Sequence, residues 1–133
     1  VHISQQIVKK IIAKGKNIRE ARILIMGATF KENVTDIRNS KVADLVNEFK
    51  SFAVSVDVTD PLANSEEVLH EYGFPIESNF KGPYDAVIVA VAHREYANLD
   101  ENFFKFILHN NGIIADIKGT FRNRIKSLEY WSL

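Results

Sequence analysis

The chain has 133 residues, a hydrophobic fraction of 46% and a formal net charge of +0. This length fits one domain, and the balanced charge gives no general attraction to nucleic acid or to an anionic membrane. The absence of cysteine excludes disulfides, Cys-ligated zinc and a cysteine nucleophile within this sequence, and is compatible with a cytoplasmic protein. No apolar run approaches the roughly 20 residues of a membrane span.

The first predicted element is a helix over residues 3–14, because isoleucines recur there at helical spacing. The chain begins at Val1 and its first segment is already amphipathic. We therefore expect a piece of a longer protein, in which residues 1–17 form a connector helix from an upstream region. A helix that packs on this domain's own sheet is the alternative.

Strands and helices alternate along the rest of the chain. The predicted strands Arg22–Met26 and 85–92 each begin with a charged residue followed by a continuous apolar run, which is typical of strands buried on both faces of a parallel sheet. The remaining predictions are strands at 54–58 and 113–117, helices at 40–51, 64–73 and 100–108, and a turn at Asn111-Gly112. The alternation predicts an α/β domain with a mostly parallel sheet.

The final segment, residues 121–133, is predicted to be partly helical. It carries three apolar side chains that we expect to pack on the domain, namely Ile125, Leu128 and Trp131. Residues 76–80 fit neither a helix nor a strand pattern clearly.

The loop that follows the first strand is the most informative segment. It carries Lys31 and Arg38 and leads into a helix that opens near Ser40. A strand, a cationic loop and a helix N-terminus in series favour an anion, because free backbone N–H groups and the helix dipole both attract negative charge. An ordinary connection with solvated charges is the alternative.

This loop does not have the glycines of a dinucleotide fingerprint. A G-x-G-x-x-G turn lets the backbone approach a pyrophosphate, whereas Gly27 is followed by Ala28-Thr29-Phe30-Lys31. We therefore expect side chains to meet the ligand, with Phe30 as an apolar face and Lys31 as a point charge.

Ligands of open α/β sheets bind outside the carboxyl ends of the strands. Four cations follow predicted strands and are expected on this side of the sheet: Lys31, Arg38, Arg94 and Lys118. The acidic residues have structural interpretations. Asp60 is expected to accept bonds from the turn that Pro61 closes, Asp36 to pair with Arg38 or brace the loop, and Asp116 to orient Lys118 or a backbone amide.

His93 has no serine partner and no second histidine of the kind that a triad or a zinc site needs. A solvated or hydrogen-bonded histidine is the expected outcome. No nucleophile–base–orienter arrangement emerges. The residues therefore predict a binding domain with neither a reaction centre nor a metal site of its own.

Residues 27–40 resemble the signature G-x-x-[FY]-K-x-[DN]-x-x-D-x-R-x-S, which opens the C-terminal domain of the UDP-glucose/GDP-mannose dehydrogenase family. Asp60-Pro61 resembles the family's D-P after its second strand. Residues 89–93 (VAVAH) and 116–119 (DIKG) resemble the variant of UDP-N-acetylhexosamine dehydrogenases.

The resemblance implies a Rossmann-like three-layer domain over residues 18–133 that binds a UDP-sugar. It implies that the whole enzyme oxidises the C6 hydroxyl of a UDP-hexose or UDP-N-acetylhexosamine to the uronate, a polysaccharide precursor. Two NAD⁺ would be used, held mainly by an N-terminal domain, and a central region that residues 1–17 continue would make a homodimer.

By position, the resemblance assigns Phe30, Lys31 and Lys118 to the UDP-sugar and Arg38 to NAD. The family's catalytic cysteine lies upstream of the matching region, so this chain is expected to bind without turnover. A free-standing nucleotide- or CoA-binding regulatory module is the alternative. A receiver-like signalling domain is disfavoured, because Gly27-Ala28-Thr29 lacks the acidic pair that it needs.

Overall fold

The structure, a computed structural model, describes residues 3–132. Its sheet contains the strands β1 (Arg22–Met26), β2 (Ser55–Thr59), β3 (Tyr84–Val89), β4 (Leu108–Asp116) and β5 (Glu129–Ser132). The strands lie in the order β2-β1-β3-β4-β5, and every neighbouring pair is parallel. The α/β class and the parallel sheet are therefore confirmed.

Helices cover both faces of this sheet. They are α1 (Ile3–Ala13), α2 (Val42–Ser51), α3 (Ser65–Tyr72) and α4 (Glu101–Ile107). Buried side chains of α1, α2 and α3 join one apolar cluster, and those of α4 join a second cluster. The three-layer architecture is thus confirmed, and none of the helices in residues 3–132 is long and apolar enough to cross a membrane.

β1 forms the centre of both clusters. Ile23 and Ile25 contribute to the first cluster, while Leu24 and Met26 contribute to the second. Successive side chains of a strand point to opposite faces of the sheet, so a continuous apolar run is what a strand covered on both sides requires.

α1 packs against the same sheet. Its side chains Ile7, Val8 and Ile11 are buried in the first cluster, and Lys14 Nζ lies 2.6 Å from a carboxylate oxygen of Glu129 on β5. This helix therefore packs on the domain's own sheet, as the alternative expected, and its role as a connector stays a prediction. Of residues 1–17, Val1 and His2 lie outside the described residues.

The helical prediction for the tail is wrong within residues 121–132, since residues 129–132 form the edge strand β5. Register pairs Ile114 with Tyr130 and Ala115 with Trp131. Trp131 packs against the first cluster and Tyr130 against the second. This alternation is the two-residue period of a strand, and the fifth strand covers the open edge of β4. The predicted packing of the tail is confirmed for Ile125, Leu128 and Trp131, and Leu133 lies outside the described residues.

The turn predicted at Asn111-Gly112 is also wrong as a boundary, because β4 already begins at Leu108. Leu108 pairs with Tyr84, whereas Ile113 pairs with Ala86, so the register shifts between these two pairs. Asn111-Gly112 lies in that irregularity, within the strand. A bulge interrupts local pairing without ending the strand, which explains why turn residues stand there.

Candidate functional site

The loops after β1, β3 and β4 meet at the carboxyl edge of the sheet. The chain leaves β1 towards β2 on one side, and returns to β3 on the other side of β1. Ligands of doubly wound folds bind at such a reversal of strand order. A cavity of about 530 Å³ opens there, between these loops and the first turns of α2.

Three of the four predicted site residues line this cavity together. Phe30 and Lys31 come from the loop after β1, and Lys118 comes from the loop after β4. Phe30 keeps 53% of its surface exposed, which leaves its ring free to contact a ligand.

Lys41 is a lining residue that sequence reasoning missed. It occupies the N-cap position of α2 without making a side-chain cap, while Ser40 Oγ accepts a hydrogen bond from the Val42 N–H at 3.2 Å. The sequence signal for Lys41 was its position directly after Ser40, where the helix is predicted to open, because a long side chain there can reach towards the loop after β1.

The lysines of the cavity are available to a ligand. Within residues 3–132, Lys31, Lys41 and Lys118 form no ion pair with a carboxylate. The acidic lining residues are Glu32, Asp44 and Glu48, and Glu48 accepts a hydrogen bond from Ser4 at 2.7 Å. The cavity therefore offers three ammonium groups that can neutralise an anion.

Arg38 and Arg94 do not line this cavity. Arg38 donates to both carboxylate oxygens of Asp36, from Nε at 3.0 Å and from Nη2 at 2.9 Å. These bonds hold the pKa of Asp36 at about 2. The predicted pairing of Asp36 with Arg38 is confirmed, and the Arg38 side chain is 82% exposed.

Asp60 has the structural role predicted for it. Its Oδ1 accepts from the N–H groups of Leu62 and Ala63 at 2.7 and 2.9 Å, as expected for the turn at Pro61. Its Oδ2 accepts from the N–H of Ala28 at 2.6 Å. Burial opposes ionisation of this carboxyl, but the hydrogen bonds outweigh burial and lower its pKa.

His93 is hydrogen-bonded and only 1% exposed, so the solvated alternative is wrong. Its Nε2 lies 2.8 Å from Asp60 Oδ2 and 3.2 Å from Thr29 Oγ1. Its Nδ1 accepts from the N–H of Asn33 at 3.0 Å. The ring therefore joins the ends of β2 and β3 to the loop after β1.

Asp116 fixes the loop after β4. Its two oxygens accept from the N–H groups of Thr120 and Phe121, at 3.0 and 2.7 Å, and Tyr130 donates to it at 2.6 Å. The expectation that Asp116 orients backbone amides is confirmed. Lys118 stands in the loop that these bonds hold in place.

Gly27 shows why the site depends on side chains. Its φ is +108°, and a Cβ added there would lie 2.6 Å from Val91 Cβ. The glycine thus accommodates the close approach of the chain that follows β3. This agrees with the missing glycines of the loop, and the described residues form no dinucleotide cradle at this turn.

A second cavity, of about 320 Å³, lies near the amino ends of β3 and β4. Its lysines already have carboxylate partners, since Lys14 pairs with Glu129 at 2.6 Å and Lys16 pairs with Asp85 at 3.7 Å. Surface pairs of this kind are typical of a solvated face. The cavity at the carboxyl edge is therefore the candidate site.

The fold agrees with that of two solved structures. The fold superimposes on NDP-N-acetyl-D-galactosaminuronic acid dehydrogenase from Methanosarcina mazei Go1 with a TM-score of 0.82 at 20% identity, over 97% of this chain and 28% of that one. A UDP-D-ManNAc dehydrogenase from Pyrococcus horikoshii gives a TM-score of 0.76 at 16% identity, over 97% of this chain and 29% of that one. These likenesses establish the fold.

Two curated relatives are more similar to this chain in sequence than these solved structures are. The chain is 37% identical to UDP-N-acetyl-D-glucosamine 6-dehydrogenase of Pseudomonas aeruginosa over 118 residues, and 36% identical to the Salmonella typhi protein of that name. Each match covers 88% of this chain and 28% of the relative, so the chain spans little more than a quarter of these proteins. Residues 24–123 match the UDP binding domain of one family. The chain therefore belongs to the UDP-glucose/GDP-mannose dehydrogenase family, as a form of its UDP binding domain.

Proposed function

We propose that this chain holds the UDP part of a UDP-hexose or UDP-N-acetylhexosamine for an NAD-dependent 6-dehydrogenase. The whole enzyme would oxidise the C6 hydroxyl of the sugar to the uronate, for polysaccharide precursor synthesis. The observation that carries this proposal is the cavity at the carboxyl edge of a UDP binding domain, lined by the exposed Phe30 and by three lysines that have no ion pair among residues 3–132. The names of the two bacterial relatives support the substrate class.

Different residues of the cavity would contact different parts of the UDP-sugar. Lys31 and Lys118 would neutralise the diphosphate as point charges, with Lys41 as a further cation at the start of α2, where the helix dipole also favours an anion. Phe30 would contact the nucleotide-sugar through its exposed ring. No catalytic residue is proposed within this chain.

NAD would be held mainly by another domain of the same protein. The turn at Gly27 is packed against Val91, and the residues that follow it, Ala28-Thr29-Phe30-Lys31, lack the further glycines of a dinucleotide fingerprint. Arg38 is exposed beyond the cavity and is proposed as this chain's contact to NAD.

The proposal also covers the rest of the protein. Residues 1–17 would continue from a central region that forms a homodimer, and residues 18–133 would be the UDP-sugar-binding domain. A cytoplasmic location is part of the same proposal.

The test is calorimetric titration of the chain with UDP, and with GDP, NAD⁺ and CoA as controls. We expect selective binding of UDP. Replacement Lys31→Ala should weaken it by about 1–3 kcal/mol, the cost of losing a charged hydrogen bond. Lys50→Ala is the matched control, because Lys50 is an exposed lysine at the far end of α2.

Two results would contradict the proposal. Preference for NAD⁺ or CoA over UDP would favour a free-standing regulatory module. If Lys31→Ala and Lys50→Ala changed the affinity for UDP equally, Lys31 would not be part of the binding site.

A further inference from the structure

The segment Phe30-Lys31 is exposed at its side chains but fixed at both ends. Before it, Thr29 is buried and its hydroxyl donates to the Lys31 carbonyl at 2.8 Å. After it, the N–H of Asn33 donates to Nδ1 of the buried His93 at 3.0 Å. Phe30 and Lys31, the two residues expected to contact the ligand, thus lie between two points at which buried side chains, Thr29 and His93, hold the loop by hydrogen bonds.

The hydrogen bonds determine the state of the His93 ring. Because Nδ1 faces a backbone N–H, it accepts, and the ring proton therefore belongs to Nε2. Nε2 donates to Asp60 Oδ2 at 2.8 Å. Asp60 also accepts from the N–H of Ala28, so the same carboxylate orients the ring and holds the start of the loop.

Asn33 completes the attachment from the loop side. Its Oδ1 accepts from the N–H of Arg94 at 2.7 Å, while its own N–H donates to the neighbouring His93. Its φ of 61° is left-handed, a conformation that asparagine adopts more readily than most residues. Two adjacent residues after β3 therefore hold one residue of the loop after β1 by two hydrogen bonds.

We propose that His93 is a positioning residue of the UDP-sugar site. Its Nδ1 holds the Asn33 amide and thereby sets where Phe30 and Lys31 stand in the cavity. His93 does not itself line the cavity, so it acts through the loop. This inference rests on the proposed function, because it assumes that Phe30 and Lys31 meet the ligand.

Two substitutions separate this role from a purely structural one. In His93→Asn, the amide oxygen can reach the place of Nδ1, so the bond from Asn33 is retained and the contact with Asp60 is lost. In His93→Gln, the longer amide can reach the place of Nε2, so the contact with Asp60 is retained and the bond from Asn33 is lost. A structural role makes the Gln variant the milder change, and a positioning role makes the Asn variant the milder change.

The experiment measures two properties of each variant of the chain. Amide hydrogen exchange of residues 29–36, without ligand, reports whether the loop is held. Calorimetric titration with UDP reports affinity. We expect His93→Gln to accelerate exchange of the loop and to weaken UDP about tenfold, which corresponds to about 1.4 kcal/mol, whereas His93→Asn should keep both values within about twofold of the unmodified chain.

A third variant leaves the buried position 93 unchanged and tests, through the second bond to residue 33, whether holding this residue matters for UDP binding. Asn33 is exposed, and glycine tolerates its left-handed φ, so Asn33→Gly should fold while losing the bond from Arg94. We expect about threefold weaker UDP binding and faster loop exchange. Arg94→Ala is its control, because it keeps the backbone N–H of residue 94, which donates to Asn33 Oδ1.

The outcomes distinguish this inference from the proposed function. Unchanged loop exchange in both His93→Gln and Asn33→Gly overturns the positioning role, and so does a milder effect of Gln than of Asn on UDP affinity. Faster loop exchange without any change in UDP affinity, together with an unaffected Lys31→Ala variant, overturns instead the placement of this loop in the ligand site.

Discussion

Two buried aspartates, Asp60 after β2 and Asp116 at the end of β4, organise the two sides of the candidate site in different ways. Asp116 accepts from amides four and five residues further along its own loop. Asp60 accepts from Ala28, which is 32 residues earlier, and from His93, which is 33 residues later. The loop of Lys118 is thus held locally, whereas the loop of Lys31 is held by distant parts of the chain.

This difference has an energetic consequence. A buried carboxylate that accepts several bonds leaves each donor without a partner when it is removed. Asp60 has five such donors, namely the N–H groups of Ala28, Thr29, Leu62 and Ala63 and the ring of His93. Asp116 has three, namely the N–H groups of Thr120 and Phe121 and the hydroxyl of Tyr130.

The largest expected effect is therefore at Asp60. Asp60→Ala should lower the free energy of unfolding by about 3–5 kcal/mol, because it leaves several buried donors without a partner at once. Asp116→Ala should lower it by about 1–3 kcal/mol. Urea denaturation measures both, and an equal or larger loss at Asp116 would refute the ranking.

Acid titration sharpens the comparison. The pKa of Asp60 is lowered in the folded chain from an ordinary value of 3.8. The unfolded chain therefore binds a proton first as the pH falls, so the stabilisation from this carboxylate is present above pH 3.8 and is lost below it.

Unfolding free energies of the unmodified chain and of Asp60→Asn, measured between pH 5 and pH 2, should therefore converge on acidification. The slope that one proton contributes is at most about 1.4 kcal/mol per pH unit. The exposed Asp36 titrates in both proteins and cancels in the difference. Parallel curves over this range would show that Asp60 is not the group that titrates.

The smallest expected effect is at Tyr130. Burial and the bond to Asp116 raise its pKa to about 12. Tyr130→Phe removes one bond to a carboxylate from a half-buried hydroxyl and should cost about 1.5 kcal/mol in the free energy of unfolding, the lower end for a bond to a charged group.

The matched control for this variant is Tyr84→Phe, which removes a bond to Asp57 at the opposite end of the sheet. Amide exchange of residues 118–121 should accelerate only in Tyr130→Phe. An equal response of that loop to both variants would show that Tyr130 has no local role there.

The sequence predicts the central strands because burial on both faces imposes a local pattern. Residues 23–26 of the predicted strand Arg22–Met26 are apolar throughout, and the structure has a strand with the predicted bounds. The cap at Asn64 is equally local, since its Oδ1 accepts from the N–H of Glu67 at 3.0 Å. Such features depend on residues within one turn or one strand.

The features that were missed depend on distant partners. β5 is four residues long, and its strand character comes from pairing with β4 rather than from its own composition. The attachment of His93 to Asn33 joins residues 60 positions apart. The motif at residues 27–40 thus indicates which side chains form the site, but the groups that hold them appear only in the folded chain.

The first helix, α1, and the last strand, β5, are in contact, so the two ends of the domain are connected in the folded chain. Lys10 and Lys14 both reach Glu129, but these exposed pairs are worth little energy. The firm attachment is the burial of Ile7, Val8 and Ile11. A force on α1 would thus act on the sheet first through these apolar contacts. The nearest polar contact leads from α1 to β5. β5 lies beside β4, and the end of β4 positions Lys118.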